Sequence, residues 1–251
     1  MAGVEERVAL VTGAGRGIGR VTAELLAARG ARVMCVARSA AELKTLGLDY
    51  LAADLGTPEG CAHAVGETED RLGPVDILVC NHGIGSAHEK VIWEQSPDTW
   101  SETMRINLDG PFELSRRVLR GMTERGYGRV VFTSSTAGLV AEHAGSAYNS
   151  SKHGLIGLMR SVATDGGAFG VTSNAVLPGW VRTEMAERSA RQEAEDRGVS
   201  SDQVWEERAA LYPPGRVATP QEVAELIAFL ASEESSGVSG EAIRVALGSV
   251  C

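Results

Sequence analysis

The chain alternates short apolar runs with amphipathic stretches almost from one end to the other, and this alternation constrains its fold more than any other feature. Apolar runs of about four to eight residues are typical of buried strands, and the longer stretches between them carry helical periodicity. Strands that are apolar on both faces belong to parallel sheets, whose consecutive strands are joined by helices that cover both faces. The sequence therefore predicts an α/β fold with a doubly wound, seven-stranded parallel sheet.

The predicted elements follow this rhythm closely. Strands are predicted at residues 8–11, 33–36, 50–53, 75–80, 129–133, 171–177 and 242–245. Helices are predicted at residues 18–29, 58–72, 97–125, 147–169 and 220–232. Residues 183–214 interrupt the rhythm with mixed acids and arginines, beside Trp205, Leu211 and Tyr212, and we predict a helical lid there, the lid segment. We expect residues 1–251 to form one domain, because an α/β domain can reach about 250 residues.

A glycine-rich turn lies between the first predicted strand and the first predicted helix. It consists of Thr12, Gly13, Ala14, Gly15, Arg16, Gly17, Ile18 and Gly19. Glycines allow a tight turn and let backbone N–H groups at a helix N-terminus approach a pyrophosphate. The strict G-x-G-x-x-G pattern fails at Ile18, and the spacing that stands is T-G-x-x-x-G-x-G. Because the turn opens a βαβ unit, we predict a Rossmann-type fold with a dinucleotide site there, although such a turn can also be purely structural.

The end of the second predicted strand indicates which dinucleotide is bound. A carboxylate about twenty residues after the glycine turn would bind the ribose 2′-hydroxyl of NAD. The chain has Ala37 and Arg38 there instead. Arg38, with Arg16 from the turn, can hold a 2′-phosphate through a planar, charge-assisted contact. NADP(H) is therefore favoured over NAD(H); the alternative is that Arg38 is only a solvated surface arginine.

Tyr148 and Lys152 lie four residues apart in a predicted helix, so their side chains share one face. A free tyrosine has a pKa of about 10, and a neighbouring cation favours its phenolate. The pair can therefore transfer protons near neutral pH. An exposed helical pair without chemistry is the alternative interpretation of the spacing alone.

Composition and motifs exclude several other classes of protein. The net charge of −9 argues against non-specific nucleic-acid binding, and no apolar run approaches the roughly eighteen residues that cross a membrane. We expect no secretion signal, because no apolar stretch follows the first residues, and no G-x-S-x-G motif of a serine hydrolase occurs. We expect a cytoplasmic protein with reduced thiols and no metal, because neither the cysteines nor the histidines have ligand spacing. They are Cys35, Cys61, Cys80, Cys251, His63, His82, His88, His143 and His153.

Taken together and in order, these motifs resemble the short-chain dehydrogenase/reductase family over nearly the whole chain. The further matching residues are Asp54 and Leu55 after the third strand, Asn81 and Gly83 after the fourth, Asn107, Ser135, and Pro178, Gly179, Val181 and Thr183 after the sixth. Ser135, rather than Ser134, lies thirteen residues before Tyr148, as the family's serine does. His82 departs from the family's small residue, and Val-Ala-Leu-Gly at residues 245–248 departs from its Val-Asp-Gly-Gly.

The resemblance implies a hydride transfer between a nicotinamide and a carbonyl or carbinol carbon. Tyr148 would donate the proton, Lys152 would lower the pKa of that tyrosine and bind the nicotinamide ribose, and Ser135 would hold the substrate oxygen. Asn107 would stabilise a kinked helix and a water next to Lys152. In the family, the aspartate corresponding to Asp54 contacts adenine, and Thr183 with the backbone near Val181 would meet the carboxamide.

Substrate and assembly are less constrained. The leading expectation is an NADPH-dependent ketone reductase, similar to 3-oxoacyl reductases, that acts on a 3-oxoacyl thioester or a secondary-metabolite ketone. The alternatives are an oxidative dehydrogenase of secondary alcohols, hydroxysteroids or 3-hydroxy acids, and a sensor without catalysis. The pocket should lie between residues 137–144 and 180–212, where Glu142 and His143 either contact a polar substrate or face solvent. The resemblance also implies a homotetramer or homodimer built on the helices at 97–125 and 147–169.

Overall fold

The computed structural model describes residues 3–86 and 89–249 of the chain. Within these residues the strands are β1 (Val8–Thr12), β2 (Arg32–Ala37), β3 (Asp49–Ala52), β4 (Ile77–Cys80), β5 (Gly128–Thr133), β6 (Val171–Pro178) and β7 (Ala242–Val245). They form one sheet in the order β3–β2–β1–β4–β5–β6–β7, in which every neighbouring pair is parallel. The prediction of a doubly wound, seven-stranded parallel sheet is confirmed.

Helices join the strands and cover both faces of this sheet. They are α1 (Gly17–Ala28), α2 (Ala40–Lys44), α3 (Pro58–Leu72), α4 (Pro97–Met104), α5 (Gly110–Arg125), α6 (Ser146–Gly166), α7 (Glu184–Arg197), α8 (Ser201–Ala210) and α9 (Pro220–Leu230). Since alternate residues of a strand point to opposite faces, each strand contributes to two cores. Leu10 and Phe132 belong to the core under α3, α5 and α6, whereas Val11 and Val131 belong to the core under α1 and α9.

The order of the strands reverses at β1, which pairs with β2 on one side and with β4 on the other. The carboxyl ends of β1 and β4 therefore border the crevice in which doubly wound sheets bind their ligands. Thr12 closes the end of β1 by donating its hydroxyl to the Val79 carbonyl over 3.0 Å. The glycine-rich turn follows β1 and Asn81 follows β4, so the two lie next to each other at this edge of the sheet.

The structure corrects two of the predicted elements. The short helix α2 was not predicted, because its five residues are too few for helical periodicity; the Ser39 side chain caps it by accepting from the Glu42 amide. The helix predicted at residues 97–125 is divided into α4, a π-helical turn at Arg105–Asp109, and α5. Pro111 has no N–H group and cannot donate to the Asn107 carbonyl four residues earlier, which is a physical reason for the break.

The lid segment consists mainly of α7 and α8, which pack against each other through small side chains of α7 and through Val204 and Trp205 of α8. No helix among the described residues is long and apolar enough to cross a membrane. Cys35, Cys61 and Cys80 are buried free thiols. Cys251 and His88 lie outside the described residues.

Candidate active site

Helix α6 carries Tyr148 and Lys152 on one face, beside the carboxyl end of β5. The Lys152 ammonium lies 5.6 Å from the centre of the Tyr148 ring and donates to the Thr133 carbonyl over 3.0 Å. Lys152 is 5% exposed, so nearly all of its side chain is buried. Its ammonium is thus held between the end of β5 and the tyrosine.

The two serines that follow β5 have different surroundings. Ser134 is buried and donates its hydroxyl to the Lys152 carbonyl over 2.9 Å, which joins β5 to α6. Ser135 is half-buried; its hydroxyl accepts from the Ala137 amide at 3.1 Å and lies close enough to the Tyr148 side chain to lower the pKa of the phenol. Ser135 therefore presents its hydroxyl beside the phenol, whereas Ser134 has a structural role.

Asn107 lies fully buried in the π-helical turn and connects three parts of the chain. Its side-chain oxygen accepts from the Ile84 amide at 2.8 Å, and its amide nitrogen donates to the Ile84 carbonyl at 2.9 Å. The same nitrogen donates to the Ser151 hydroxyl at 3.1 Å. A β-carbon at Gly83 would lie 3.1 Å from the Asn107 side-chain oxygen and 3.6 Å from the Lys152 ammonium. Asn107 and Lys152 thus flank the segment that follows β4.

Burial dominates the electrostatics of this group of residues. It raises the pKa of Tyr148 to about 12; the neighbouring Ser135 hydroxyl opposes the rise, and the carboxylates of Glu142 and Glu89 add to it. Burial also lowers the pKa of Lys152 to about 8. Desolvation of the phenolate thus dominates the pKa of Tyr148, and the lowering of that pKa by Lys152 stays a prediction.

The glycine-rich turn approaches β4 and the start of α1 closely. Gly17 has a φ of +56°, and a β-carbon at Gly19 would overlap the Gly13 carbonyl and the Asn81 side chain. Asn81 donates its side-chain amide to the Thr12 carbonyl at 3.3 Å and to the Gly13 carbonyl at 3.4 Å. Only glycine at position 19 allows this contact between the turn, the helix and Asn81.

The donors at the start of α1 fit the pyrophosphate of a dinucleotide. Arg16 is the N-cap residue, and no side chain of the described residues caps this helix, in contrast to the Ser and Thr caps of α2, α3 and α4. The first turn of α1 contains no acidic residue. Its free N–H groups and the positive end of the helix dipole therefore face the crevice, as anion binding requires.

The two arginines predicted to contact a 2′-phosphate differ in their partners. Arg38 is exposed, and no ion pair or side-chain hydrogen bond involves it within the described part of the chain. Arg16 lies 3.4 Å from a Glu42 carboxylate oxygen and 3.5 Å from one of Glu184, the first residue of α7. A β-carbon at Gly15 would lie 2.6 Å from the other Glu42 oxygen. Glu42, which the sequence analysis missed, therefore borders the crevice and competes for Arg16.

Asp54 and Leu55, predicted near the adenine, lie after β3. The Asp54 carboxylate is half-exposed. It accepts from the Gly56 amide at 3.0 Å and lies 3.5 Å from Arg105, so it already has partners. Leu55 is buried in the core under α3. Its side chain is therefore part of the core, which leaves its backbone for any contact with a ligand.

The residues after β6 are held by the lid segment. The Trp180 amide donates to the Tyr212 hydroxyl at 2.6 Å, and a β-carbon at Gly179, which follows Pro178 at the end of β6, would overlap that hydroxyl. Val181 is buried and forms a bridge with Ala218, and the Thr183 hydroxyl caps α7. The residues after β6 thus lie next to the glycine-rich turn, since a β-carbon at Gly17 would contact Thr183.

Aromatic and charged side chains hold the lid segment together. The Arg208 guanidinium lies 3.6 Å from the Trp180 ring centre and 5.2 Å from that of Trp205. Arg208, which is 5% exposed, also pairs with Glu193 at 2.9 Å. Glu142 and His143 are both exposed on the loop after β5, and the Glu142 carboxylate lies close enough to Tyr148 to raise the pKa of the phenol.

His82 departs from the family pattern and takes a buried position. Its Nδ1 lies 2.8 Å from the Thr12 hydroxyl. Its Nε2 is buried next to Gly110 and has no hydrogen-bond partner that meets full geometry among the described residues. Burial, together with the charge of Lys152, lowers the pKa of His82 to about 4. His82 is therefore neutral at physiological pH and fills the space between the glycine turn and the π-helical turn.

The fold and its site define a dinucleotide-dependent oxidoreductase. The features that do so are the parallel sheet, the glycine-rich turn, and the group of Ser135, Tyr148 and Lys152. Comparison with known proteins agrees with this class. A family model described as Enoyl-(Acyl carrier protein) reductase matches residues 13–249. The chain belongs to the short-chain dehydrogenase/reductase family.

Three relatives illustrate the similarity. The 3-oxoacyl-(acyl-carrier-protein) reductase FabG of Vibrio cholerae is 36% identical over 249 residues, which cover 96% of each chain. The acetoacetyl-CoA reductase of Rhizobium meliloti is 34% identical over 242 residues, which cover 94% of this chain and 95% of the relative. A solved structure of an actinorhodin polyketide ketoreductase variant with NADPH matches with a TM-score of 0.90 and 33% identity. The match covers 99% of this chain and 98% of the ketoreductase chain.

Proposed function

We propose that this protein reduces a 3-oxoacyl thioester to a 3-hydroxyacyl thioester, with NADPH as the hydride donor. The observation that carries the proposal is that the Ser135 hydroxyl and the Tyr148 phenol are neighbours at the carboxyl end of β5, close enough for Ser135 to lower the pKa of the phenol. Two neighbouring hydroxyl donors suit one carbonyl oxygen, because they stabilise the charge that grows on it during reduction. The relatives named for 3-oxoacyl and acetoacetyl thioesters support the substrate class.

The uncapped start of α1 would hold the pyrophosphate, and Arg38 with Arg16 would hold the 2′-phosphate. The relative whose structure contains NADPH supports this choice of cofactor. When bound, the cofactor supplies the hydride that joins the carbonyl carbon. Asn81, Gly83, Thr183 and the backbone at Gly179 and Val181 would line the rest of its site.

Tyr148 would donate its phenolic proton to the carbonyl oxygen as that carbon is reduced. Its raised pKa keeps the phenol protonated at neutral pH, as a proton donor requires. With a pKa of about 8, Lys152 remains largely charged at pH 7 and would return a proton toward the tyrosine. Asn107 would keep Lys152 and α6 in place through Ser151 and the backbone of Ile84.

Apolar surface beside these hydroxyls supports an acyl substrate. Leu139 and Val140, on the loop that follows Ser135, are 43% and 39% exposed. Met185 of α7 is 41% exposed, and a β-carbon at Gly85 would lie 3.5 Å from its sulfur. These side chains border the site from two directions and would contact an acyl chain. We propose that α7 and α8 form a lid of the same domain and exclude water when they close.

The test uses the purified full chain with NADPH and NADH. Substrates are acetoacetyl-CoA, an enoyl-CoA thioester and a simple ketone, with a 3-hydroxyacyl thioester and NADP⁺ for the reverse reaction. We expect NADPH consumption with acetoacetyl-CoA, and a loss of roughly 100-fold or more in kcat for Tyr148→Phe. Faster reduction of the enoyl thioester than of acetoacetyl-CoA, or full activity of Tyr148→Phe, would overturn the proposal.

We further propose that the protein is a cytoplasmic homo-oligomer that uses α5 and α6 as an interface. Phe112 of α5 is 47% exposed, which supports burial of this helix face by a second copy. The buried free thiols Cys35, Cys61 and Cys80 agree with a reducing compartment. Light scattering of the purified protein tests the assembly, and a monomeric mass would contradict it.

A further inference from the structure

The helix that carries Tyr148 and Lys152 begins without a cap of its own. Its N-cap residue is Gly145, which has no side chain to accept from the first N–H groups, and its first turn contains no acidic residue. By contrast, α7, α8 and α9 each begin with a Ser or Thr whose hydroxyl accepts from the first turn. Uncapped donors at a half-buried helix start are costly, so a partner from elsewhere is needed.

Glu89, from the segment between β4 and α4, is that partner. One of its carboxylate oxygens accepts from the Ala147 amide at 2.8 Å, and the other accepts from the Tyr148 amide at 2.7 Å. These short distances are typical of charge-assisted hydrogen bonds. A carboxylate at a helix N-terminus is also favoured by the helix dipole. Glu89 therefore binds the backbone of Tyr148 itself.

The segment that follows β4 is thus attached to α6 at two places. Near its start, Ile84 is hydrogen-bonded to Asn107, which in turn donates to Ser151 of α6. At Glu89, the same segment holds the first turn of α6. The Glu89 amide also donates to the Ser86 carbonyl at 2.9 Å, which supports this position.

We propose that Glu89 is a positioning residue for the reaction: its carboxylate fixes the first turn of α6, and with it the distance between the Tyr148 phenol and the Ser135 hydroxyl. The proposal rests on the proposed function, since it assigns a role in that reaction. A small displacement of a proton donor can cost a large factor in rate, so the effect appears in kcat more than in KM. A neutral amide in its place would keep one of the two hydrogen bonds and would lack the second contribution of Glu89, its charge.

That charge acts on the phenol. Glu89 and Glu142 both raise the pKa of Tyr148, while the neighbouring Ser135 hydroxyl lowers it; Lys152 is the cation on the same helix face. Burial raises the pKa of Glu89, and the two backbone amides oppose that rise. Replacing Glu89 with a neutral residue removes one carboxylate from the surroundings of Tyr148. The phenol then ionises at a lower pH.

The experiment compares Glu89→Gln and Glu89→Ala with the parent, and uses Glu94→Gln as a matched control. Glu94 lies in the same segment, is exposed and makes no described contact with α6. For each protein we would measure kcat and KM for acetoacetyl-CoA, the pH profile of 3-hydroxyacyl thioester oxidation, and hydrogen exchange of the amides of residues 146–150.

For Glu89→Ala we expect faster exchange of the Ala147 and Tyr148 amides, and a fall in kcat of roughly tenfold with little change in KM. For Glu89→Gln we expect a smaller fall in kcat, because the amide oxygen still accepts one hydrogen bond. The pH at half-maximal oxidation should move down by roughly half a unit in Glu89→Gln. Glu94→Gln should match the parent, since its exposed charge is screened.

Unchanged amide exchange in both Glu89 variants would overturn the proposal, and so would faster exchange with unaltered kcat and pH profile. These outcomes are separate from failure of the proposed function. A parent protein that reduces no thioester would refute the substrate class, while the exchange data would still decide whether Glu89 holds the first turn of α6.

Discussion

Asn107 donates its side-chain amide to the hydroxyl of Ser151 over 3.1 Å, and this bond joins the π-helical turn to the helix that carries Tyr148 and Lys152. Ser151 in turn donates to the Tyr148 carbonyl at 2.8 Å. A fully buried side chain with three hydrogen bonds cannot be replaced without leaving backbone groups unpaired. The integrity of the site and the stability of the fold are thus linked at one residue.

Asn107→Ala should lower both activity and stability. Loss of its bonds to Ile84 and Ser151 leaves buried donors and acceptors unsatisfied, so we expect unfolding to become easier by about 2–4 kcal/mol. We also expect kcat to fall by more than tenfold, since Lys152 and α6 lose their support. Urea denaturation and steady-state kinetics measure the two effects. Ser151→Ala, which removes one bond only, is the control and should show the smaller loss in both.

His82 should make the protein sensitive to mild acid. Its folded-state pKa of about 4 lies below the ordinary value of 6.5, so the unfolded chain binds the proton more readily. Stability is therefore unaffected above pH 6.5 and falls as the pH drops from 6.5 to 4, by roughly 3 kcal/mol at most. His82→Ala, which restores a small residue, should flatten this part of the pH–stability curve. Equal acid sensitivity of parent and variant would contradict the prediction; His143→Ala, at an exposed site, controls for loss of any histidine.

Arg38→Ala should weaken NADPH binding and leave NADH binding nearly unchanged. A charge-assisted contact between arginine and phosphate contributes about 1–3 kcal/mol, which corresponds to roughly a 5- to 150-fold rise in Kd. Fluorescence titration of each cofactor measures the effect without turnover. Arg32→Ala, an exposed arginine at the opposite end of β2, is the matched control. An equal loss for both cofactors would show that Arg38 contacts something other than the 2′-phosphate.

Glu42→Gln should have the opposite effect on the same equilibrium. Because Glu42 is one of two carboxylates paired with Arg16, its neutralisation frees that guanidinium for an anion. We expect NADPH to bind a few times more tightly, with the larger gain at low salt. The same titration at two salt concentrations tests this. Weaker NADPH binding would indicate that Glu42 orients Arg16 rather than competing for it.

Arg208→Met should loosen the lid segment. The variant keeps the apolar stem between Trp180 and Trp205 but removes the pairing with Glu193 and the bond to the Ala186 carbonyl. We expect a lower Tm and a several-fold higher KM for the thioester, because loss of one partner leaves the others unpaired in a buried setting. Thermal unfolding and kinetics provide the readouts. Arg188→Met, an exposed position on α7, should change neither.

Much of the fold was predictable because its signals are local. Buried strands such as β1 and β6 were recognised as apolar runs, and their predicted bounds agree with the structure within one residue at each end. The break at residues 105–109 has a local signal in Pro111 that periodicity alone does not register. Helix α2 was missed because a single turn held by the Ser39 cap carries no period.

Contacts between distant segments could not be predicted in this way. Glu89 lies 59 residues before Tyr148, and nothing in the sequence around either residue indicates that the carboxylate meets that amide. The stack of Arg208 on Trp180 likewise joins residues on separate elements. Such pairs depend on how the chain folds back on itself, and a single sequence carries no direct signal of that.

The sequence by itself determined the parallel sheet, the glycine-rich turn at the end of β1 and the placement of Tyr148 and Lys152 on one helical face. Periodicity, glycine geometry and spacing are properties of contiguous residues, so they can be recognised before folding is known. Only the tertiary structure decided that burial raises the pKa of Tyr148 to about 12 and lowers that of Lys152 to about 8. Desolvation depends on every group packed around a side chain, and most of those groups come from remote parts of the chain.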